Sequence, residues 1–378
     1  MDFKKLNKWA LVAILSVSAT ACSNDDNDGP IDDGTKVELP RHRMFILNEG
    51  NWNMNNAGIA FYAPSNPETE MIDDIFYKQN GRRLGDNGQA MIEEDGKIYV
   101  AVTGSNYLAK LNSACVEEAR ISFVNDTQLQ GGVRGITEKD GFIYATFYGG
   151  YLAKINTKTF EIVEKVKTPG NNLEGVTTEG NNLYVANAYK ITTDENGQNI
   201  YNYTTDVFVM DLRTLEVKST LTVSPNPNLL MEESDKVFLI SWTNYYDKGY
   251  CFQMIDPAKN NAVTELATAT HMAAGDDVVY LANSETDWST YETTNTYFSY
   301  DIKAGRINNT SFLKNAPAEV TSGHLYMMTV DDKNGDIYIG MTHYADANGD
   351  IYRFKRDGSY VGKIDSGGQN PRAAVFID

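Results

Sequence analysis

The chain has 378 residues, a formal net charge of −18 and 11% aromatic residues, with 23 tyrosines among them. Its acidic body would repel a phosphate backbone, which argues against nucleic acid as a partner. A tyrosine-rich chain with only three cysteines is typical of a β protein that has many half-buried strands.

The first 21 residues have the pattern of a secretory signal peptide. Lysines precede a short apolar run over residues 9–17, which is too short to remain as a membrane span. Small residues then lead to Cys22, and this predicts a bacterial lipoprotein with Cys22 as its lipidated first residue. Residues 22–40 follow as an acidic, polar linker, which we expect to tether the rest of the chain to the lipid anchor.

A short pattern recurs along the rest of the chain, namely a turn followed by a strand with a central aromatic residue. In one copy, Asp140-Gly141 supplies the turn and residues 142–146 suit a buried strand. The central aromatic residues of the seven copies, which we call markers, are Phe45, Tyr99, Tyr144, Tyr184, Phe238, Tyr280 and Tyr338. The closest two, Tyr144 and Tyr184, are 40 residues apart, and a spacing of about 40 residues matches a four-stranded propeller blade.

Within a repeat, four strands follow in a constant order, with the marker strand second. In the repeat around Tyr144, the first strand is predicted over residues 133–137, the third over 151–155 and the fourth over 162–166. Each of these runs is apolar or alternates apolar and polar residues, as strands do.

The two ends of the chain complement each other. The marker Phe45 has only linker before it, whereas residues 371–377 read as a first strand with no marker after them. Pairing these ends would close a ring and remove an exposed sheet edge. The sequence therefore predicts an all-β fold, a seven-bladed β-propeller of four-stranded blades over residues 41–378. The alternative of two β-sandwich domains would require a break in composition near the middle, which the chain lacks.

The extra residues of the repeats fall in two sets of connections, those after the second strand and those between blades. In a propeller these two sets open on the same face. The longest are predicted as loops over residues 187–206 and 283–295, with shorter ones over 48–56 and 314–323. Insertions gathered on one face of a repeat protein mark its binding face.

Aromatic residues that the repeat does not need are concentrated in those connections. Arg134 and Arg372 lie in first strands and are expected at the channel mouth, either as ligand contacts or as ion pairs with Glu174 or Glu319. Together the aromatic side chains would form a flat, amphipathic platform, although each alone could pack against a neighbouring loop. The predicted ligand-binding residues are Trp52, Asn53, Arg134, Tyr148, Tyr189, Trp242, Tyr245, Tyr246, Trp288, Tyr344 and Arg372.

Signals for catalysis and metal binding are weak. None of the four histidines has a metal-ligand spacing with a cysteine or carboxylate, and the sequence contains no nucleophile-elbow G-x-S-x-G. Residues 346–350 lack the later Glu of a calcium-binding EF-hand loop and predict a β-turn. Cys115 and Cys251 fall in different repeats, so we expect free thiols. These observations favour a binding protein, without a cofactor or metal, over an enzyme.

The first repeat contains a more specific segment, residues 46–57, with the sequence Asn48-Glu49-Gly50-Asn51-Trp52 inside it. It resembles the opening blade of the BtuG branch of YncE-like propellers, the surface cobalamin-binding lipoproteins of Bacteroidetes. The acidic residues after Cys22 are similar to the signal that exports such lipoproteins to the outer face of the outer membrane.

The resemblance implies a function. The chain would bind cobalamin (vitamin B12) or a related corrinoid and pass it to a BtuB-type TonB-dependent outer-membrane transporter, and it would touch the membrane only through its lipid anchor. Within this resemblance, Trp52 and its neighbours would contact the ligand. Two other functions remain open from the residues, a glycan-binding or scaffold propeller accessory to an uptake system and a lactonase-type hydrolase.

Overall fold

The computed structural model describes residues 34–378, so the predicted signal peptide, Cys22 and most of the predicted linker lie outside the described residues. The helices are α1 (Ile75–Asn80), α2 (Ala318–Ser322) and a 3-10 turn over Pro257–Lys259. None of the described helices has the length and apolar character needed to cross a membrane. The strands are β1 (Arg43–Asn48), β2 (Gly58–Tyr62), β3 (Gly88–Glu94), β4 (Lys97–Val102), β5 (Tyr107–Leu111), β6 (Glu117–Ser122), β7 (Val133–Lys139), β8 (Phe142–Phe147), β9 (Tyr151–Asn156), β10 (Ile162–Lys167), β11 (Asn172–Glu179), β12 (Asn182–Thr193), β13 (Asn199–Asp211), β14 (Val217–Thr222), β15 (Pro227–Glu233), β16 (Lys236–Ser241), β17 (Cys251–Asp256), β18 (Ala262–Ala267), β19 (His271–Gly275), β20 (Val278–Asp287), β21 (Glu292–Asp301), β22 (Arg306–Asn308), β23 (His324–Val330), β24 (Ile337–Thr342), β25 (Asp350–Phe354), β26 (Tyr360–Asp365) and β27 (Pro371–Ile377).

The strands form seven antiparallel sheets. Six sheets contain four consecutive strands each, β3–β6, β7–β10, β11–β14, β15–β18, β19–β22 and β23–β26. The remaining sheet has the order β2-β1-β27, so the last strand pairs with the first, with Val375 opposite Phe45. The fold is a seven-bladed β-propeller. In the closing blade Ile72 takes the outermost place, and its backbone bonds Phe61 at 2.9 and 3.1 Å.

The hydrophobic core is divided into seven clusters, one between each pair of neighbouring blades. Each marker belongs to a different cluster and packs toward the next blade, from Phe45 between the first two blades to Tyr338 between the last and the first. All seven markers are at most 8% exposed. Burial of one such side chain contributes about 1.5–3 kcal/mol to the stability of the fold. The repeated aromatic residue therefore stabilises each of the seven equivalent interfaces between blades.

The ends of the chain are fastened to each other by side chains as well as by strand pairing. His42 Nε2 lies 2.9 Å from Asp331 Oδ2, and His42 Nδ1 lies 2.5 Å from Asp378 Oδ1. His42 is 4% exposed and the Asp331 side chain is fully buried. The imidazole therefore joins the start of β1, the end of β27 and the turn after β23, which secures the closing blade.

The last residues of the predicted linker contact the propeller. Val37 and Leu39 are partly buried against the cluster between the first two blades. The backbone N–H of Lys36 donates to Gln79 Oε1 at 2.8 Å. These residues therefore pack with the propeller, although the sequence placed them in the tether.

The two longest predicted loops are β-ribbons that continue second and third strands beyond their sheets. Pairing between β12 and β13 extends through Ile191 opposite Tyr201, and pairing between β20 and β21 through Ser284 opposite Asn295. The expectation of loops was wrong here because these segments are rich in Thr, Ile and Tyr, which favour paired strands.

Two further predictions are confirmed within the described residues. Cys115 and Cys251 are free thiols, the first buried and the second half-buried. In the blade used as the example, the first strand begins at Val133 and the fourth at Ile162, as expected.

Candidate functional site

The inner strand of each blade is β3, β7, β11, β15, β19, β23 or β27. These seven strands surround a central channel that opens, on the face carrying the insertions, into a cavity of about 540 Å³. Each blade contributes one polar side chain to this cavity from an equivalent place near the start of its inner strand. We name this set the channel ring. Its members are Gln89, Arg134, Glu174, Asn228, His271, Tyr326 and Arg372.

Backbone irregularities place most members of the channel ring. In β11, Leu173 pairs with Asn187 and Val176 with Val185, so Glu174 and Gly175 together stand opposite a single residue. Register shifts of this kind occur at the ring position of six inner strands; β19, where His271 pairs directly with Ala282, is the exception. A β-bulge re-aims the side chain of its extra residue, and here six bulges turn polar side chains toward one cavity.

Glycines allow the inner strands to approach closely beside the ring. A Cβ atom on Gly135 would lie 2.6 Å from the backbone oxygen of Glu174, and one on Gly175 would lie 2.4 Å from that of Asn228. A side chain at either position would push neighbouring blades apart and widen the channel at the level of the site.

One half of the ring is a charge-compensated network around Glu174. Arg134 donates from Nε and Nη2 to Glu174 Oε2 at 2.9 and 2.8 Å, and from Nη1 to Gln89 Oε1 at 2.7 Å. The Tyr148 hydroxyl donates to Glu174 Oε1 at 2.7 Å. Burial acts to lower the pKa of Arg134, but the Glu174 carboxylate and the neighbouring tyrosines together outweigh burial, and the pKa lies above its ordinary value. Of the two partners that the sequence offered, Glu174 is therefore the partner of Arg134.

The other half of the ring involves Glu49, from the segment that carries the family resemblance. Tyr326 donates its hydroxyl to Glu49 Oε2 at 2.7 Å, and Arg372 Nη1 lies 3.6 Å from the same oxygen. Arg372 also donates from Nε to the Gln89 backbone oxygen at 3.3 Å. Arg372 thus pairs with Glu49 and not with Glu319, because the connection after β1 lies beside β27 in the closing blade.

A line of tyrosines leads from the channel ring to the outer rim, and we name it the tyrosine array. Arg134 lies over the Tyr148 ring at 4.7 Å, and ring centroids are 6.1 Å apart for Tyr148 and Tyr189. The array continues from Tyr189 to Tyr203 at 6.1 Å and from Tyr203 to Tyr245 at 6.0 Å. Burial, followed by the charge of Glu174, raises the pKa of the Tyr148 hydroxyl well above its usual value, so it stays a proton donor.

The predicted site residues separate into an inner and a peripheral set. Trp242 and Tyr344 line the cavity together with the two predicted arginines. Trp52, Tyr246 and Trp288 lie on connections of the same face but are 63%, 78% and 78% exposed and do not line the cavity. The Asn53 backbone N–H donates to Asp86 Oδ2 at 3.0 Å, and Asn53 also lies outside the cavity lining.

Several exposed tyrosines on this face have a strained backbone. Tyr245, Tyr291 and Tyr344 adopt φ values of 61°, 61° and 52°, a region that bulky residues rarely occupy. Such residues cost on the order of 1–3 kcal/mol each and concentrate at ligand-binding sites. Tyr344 is further held by its ring contact with His324, at 5.1 Å between centroids.

Sequence reasoning missed Gln89, Asn228, His271 and Tyr326 as site residues and gave Glu174 only as an ion-pair partner. The available signal was positional. Arg134 is the second residue of its predicted first strand, and the other ring members are the first, second or third residues of β3, β11, β15, β19, β23 and β27.

The opposite mouth of the channel is acidic. Glu93, Glu138 and Glu232 lie near the ends of inner strands, and Asp332 follows β23. Burial, and then the charges of neighbouring carboxylates, raise the pKa of all four groups despite backbone hydrogen bonds to three of them. The two mouths thus differ in chemistry, one aromatic with compensated charges and the other carrying carboxylates that repel one another.

Comparison with known proteins supports the fold. No protein-family model matches the chain, and no curated protein is similar to it in sequence. A quinonprotein alcohol dehydrogenase-like protein from Bacteroides thetaiotaomicron is similar in structure, with a TM-score of 0.60 and 13% identity over 89% of this chain and 78% of that chain. A protein of unknown function from Bacteroides caccae has a TM-score of 0.50 and 10% identity over 89% and 99%. The computationally designed Ika8 protein has a TM-score of 0.51 and 9% identity over 86% and 88%. At these identities the likeness concerns the propeller fold alone.

Proposed function

We propose that this protein is a cell-surface lipoprotein that binds cobalamin or a related corrinoid at the aromatic mouth of its channel and passes it to a TonB-dependent outer-membrane transporter. The observation that carries the proposal is the composition of that mouth. Trp242, Tyr250 and Tyr344 line a cavity whose polar groups converge from all seven blades.

The charges at this mouth favour a ligand without a strong net charge. Arg134 is compensated by Glu174 and Arg372 by Glu49. A corrinoid is a broad plate with methyl groups on its faces and amides around its rim. Aromatic faces can cover its apolar area, while amide, guanidinium and hydroxyl groups of the ring meet its rim.

The size of the cavity bears on how such a ligand would sit. A cavity of about 540 Å³ is too small to enclose a complete corrinoid, so the plate would lie across the mouth and send one part into the channel. We expect Trp242 and Tyr344, which line the cavity, to support the plate in this position, and the tyrosine array to support it farther out on the same face. Tight binding would then derive from a rigid, preformed surface, because little conformational entropy is lost.

The cellular part of the proposal rests on the sequence. Residues 1–21 and Cys22 have the lipoprotein pattern, and residues 46–57 resemble those of surface cobalamin-binding lipoproteins. A lipid anchor on the outer face of the outer membrane would hold the binding face near a transporter. Transfer of the ligand would then need no catalytic step.

The experiment is a titration of the soluble propeller, residues 34–378, with cyanocobalamin, followed by calorimetry and by visible absorbance. We expect Trp242→Ala to weaken binding by roughly 30-fold or more, since a buried aromatic anchor typically contributes at least 2 kcal/mol. Tyr77→Ala, which removes an exposed ring on α1, serves as the control and should bind like the unmodified protein. The Trp52→Ala variant reports whether the ligand extends to the first blade.

No binding of any corrinoid at micromolar protein would refute the proposal. The tyrosine array, in which Tyr245 is exposed and the other rings are half-buried, favours one alternative, a glycan stacked on the rings. That function would appear as binding of oligosaccharides that is lost on substitution of Tyr189 or Tyr203.

A further inference from the structure

His271 differs from the other members of the channel ring. It is the ring's imidazole, and it lies in the inner strand without a bulge, where it pairs directly with Ala282. Across residues 34–378, no protein hydrogen bond engages His271 Nε2 or the side-chain amide of the adjacent Asn228, whereas the Arg134 and Arg372 halves of the ring are internally bonded. These two side chains are therefore the ring members left available to a ligand.

The hydrogen bonds around Thr270 define the state of the imidazole. Thr270 Oγ1 lies 3.1 Å from the Ala282 carbonyl oxygen, accepts the Ser284 N–H at 3.0 Å, and lies 2.9 Å from His271 Nδ1. A hydroxyl has a single proton. With that proton donated to the carbonyl, the oxygen accepts from both Ser284 N–H and His271 Nδ1–H, which leaves the lone pair on Nε2.

The electrostatic surroundings keep this imidazole neutral. Burial, followed by the positive charge of Arg372, lowers the pKa of His271 to about 4. At neutral pH the ring is therefore uncharged, which is the form of histidine that binds metals. An Nδ1–H held by a neighbouring acceptor is the arrangement that orients metal-ligating histidines.

The described residues include no group of three or more His, Cys, Asp or Glu side chains placed to hold a metal ion. A single imidazole cannot retain a free ion well, but it suits a metal that arrives with its other positions already filled. The metal of a corrinoid is of this kind, because the macrocycle occupies four positions and leaves the axial ones exchangeable.

We propose that His271 supplies an axial ligand, through Nε2, to the metal of a corrinoid lying across the channel mouth, with Thr270 as the residue that positions the imidazole. This inference rests on the proposed function. Such a ligand would make the protein selective for corrinoids whose axial position on the side facing the channel is open or holds a readily exchanged ligand.

The test uses cobinamide, a corrinoid without a nucleotide base, with its cobalt reduced to the paramagnetic divalent state before mixing. Any axial nitrogen then comes from the protein. Electron paramagnetic resonance should show each cobalt line split into three by one nitrogen-14 nucleus in the unmodified propeller, and into two when the protein is labelled with nitrogen-15. His271→Gln should abolish this splitting, whereas His343→Gln, an exposed histidine hydrogen-bonded to Asp350, should leave it intact.

The outcomes separate the two proposals. Cobinamide that binds without nitrogen splitting, or with splitting that persists in His271→Gln, overturns the axial ligand and leaves corrinoid binding in place. Failure of both cobinamide and cyanocobalamin to bind refutes the proposed function and this inference with it. Circular dichroism of His271→Gln confirms that its propeller is folded before the spectra are compared.

Discussion

The ion pair between Arg134 and Glu174 allows a quantitative test of the channel ring. The two side chains are 14% and 6% exposed, and two guanidinium nitrogens lie 2.9 and 2.8 Å from one carboxylate oxygen. Arg134→Met removes both contacts and leaves Glu174, among the described residues, with the Tyr148 hydroxyl as its side-chain donor. Loss of one partner of a buried pair costs about 3–5 kcal/mol, because an uncompensated charge remains buried.

Removing both charges should lower the free energy of unfolding by much less than the sum of the effects of the two single substitutions. The Glu174→Gln side chain can still accept the Tyr148 hydroxyl, and Arg134→Met can still pack in the channel. We expect a coupling energy of about 2–3 kcal/mol between Arg134→Met and Glu174→Gln, since the double variant contains no unpaired buried charge.

The assay is a double-mutant cycle measured by urea denaturation of residues 34–378. The control cycle is the exposed pair Lys314 and Asp357, whose side chains are 59% and 63% exposed and 3.3 Å apart. This control should show no coupling above the experimental error. Additive effects at Arg134 and Glu174, or equal coupling in the two cycles, would show that water reaches the channel ring and screens it.

Three further results are expected. A thiol reagent should modify the half-buried Cys251 in the folded protein and reach Cys115 only on unfolding, because Cys115 is fully buried and burial raises the pKa of its thiol. Glu93→Gln should raise Tm at pH 7. Burial raises the folded-state pKa of Glu93, so ionisation of this carboxyl group destabilises the folded protein above that pKa. The increase in Tm should therefore vanish as the pH falls toward 4.5. His42→Gln should lower the urea midpoint more than Lys333→Gln, since His42 is 4% exposed between two carboxylates whereas Lys333 is 47% exposed.

The scaffold could be predicted from the sequence because its constraints repeat. Phe45 and Tyr338 meet nearly the same environment in different interfaces, so the same residue class recurs at a regular spacing. Closure of the ring was also predictable, since β1 lacked an inner neighbour and β27 lacked a partner. Strand propensity and edge protection are local rules, and here they agree with the fold.

The site could be predicted only in part, for reasons that are also physical. Arg134 was visible because it is a charged residue in a predicted first strand, whereas Asn228 and Tyr326 are ordinary residues that a bulge turns toward the channel. Register shifts depend on the neighbouring strand, which the sequence pattern does not reveal. The tyrosine array joins Tyr148 and Tyr245 from different blades, and such contacts exist only after the blades have packed.

The contrast between markers and ring residues follows from the symmetry of the fold. A marker packs against the next blade, and because seven interfaces have the same geometry, one residue class satisfies all of them. A ring residue faces the channel, where no repeated neighbour constrains it, so each blade can present a different side chain. A ligand with a differently substituted edge on every side can be recognised only by an unsymmetrical set of contacts. Seven blades with six bulges and six different residue types, from Gln89 to Arg372, provide such a set on a nearly symmetrical frame.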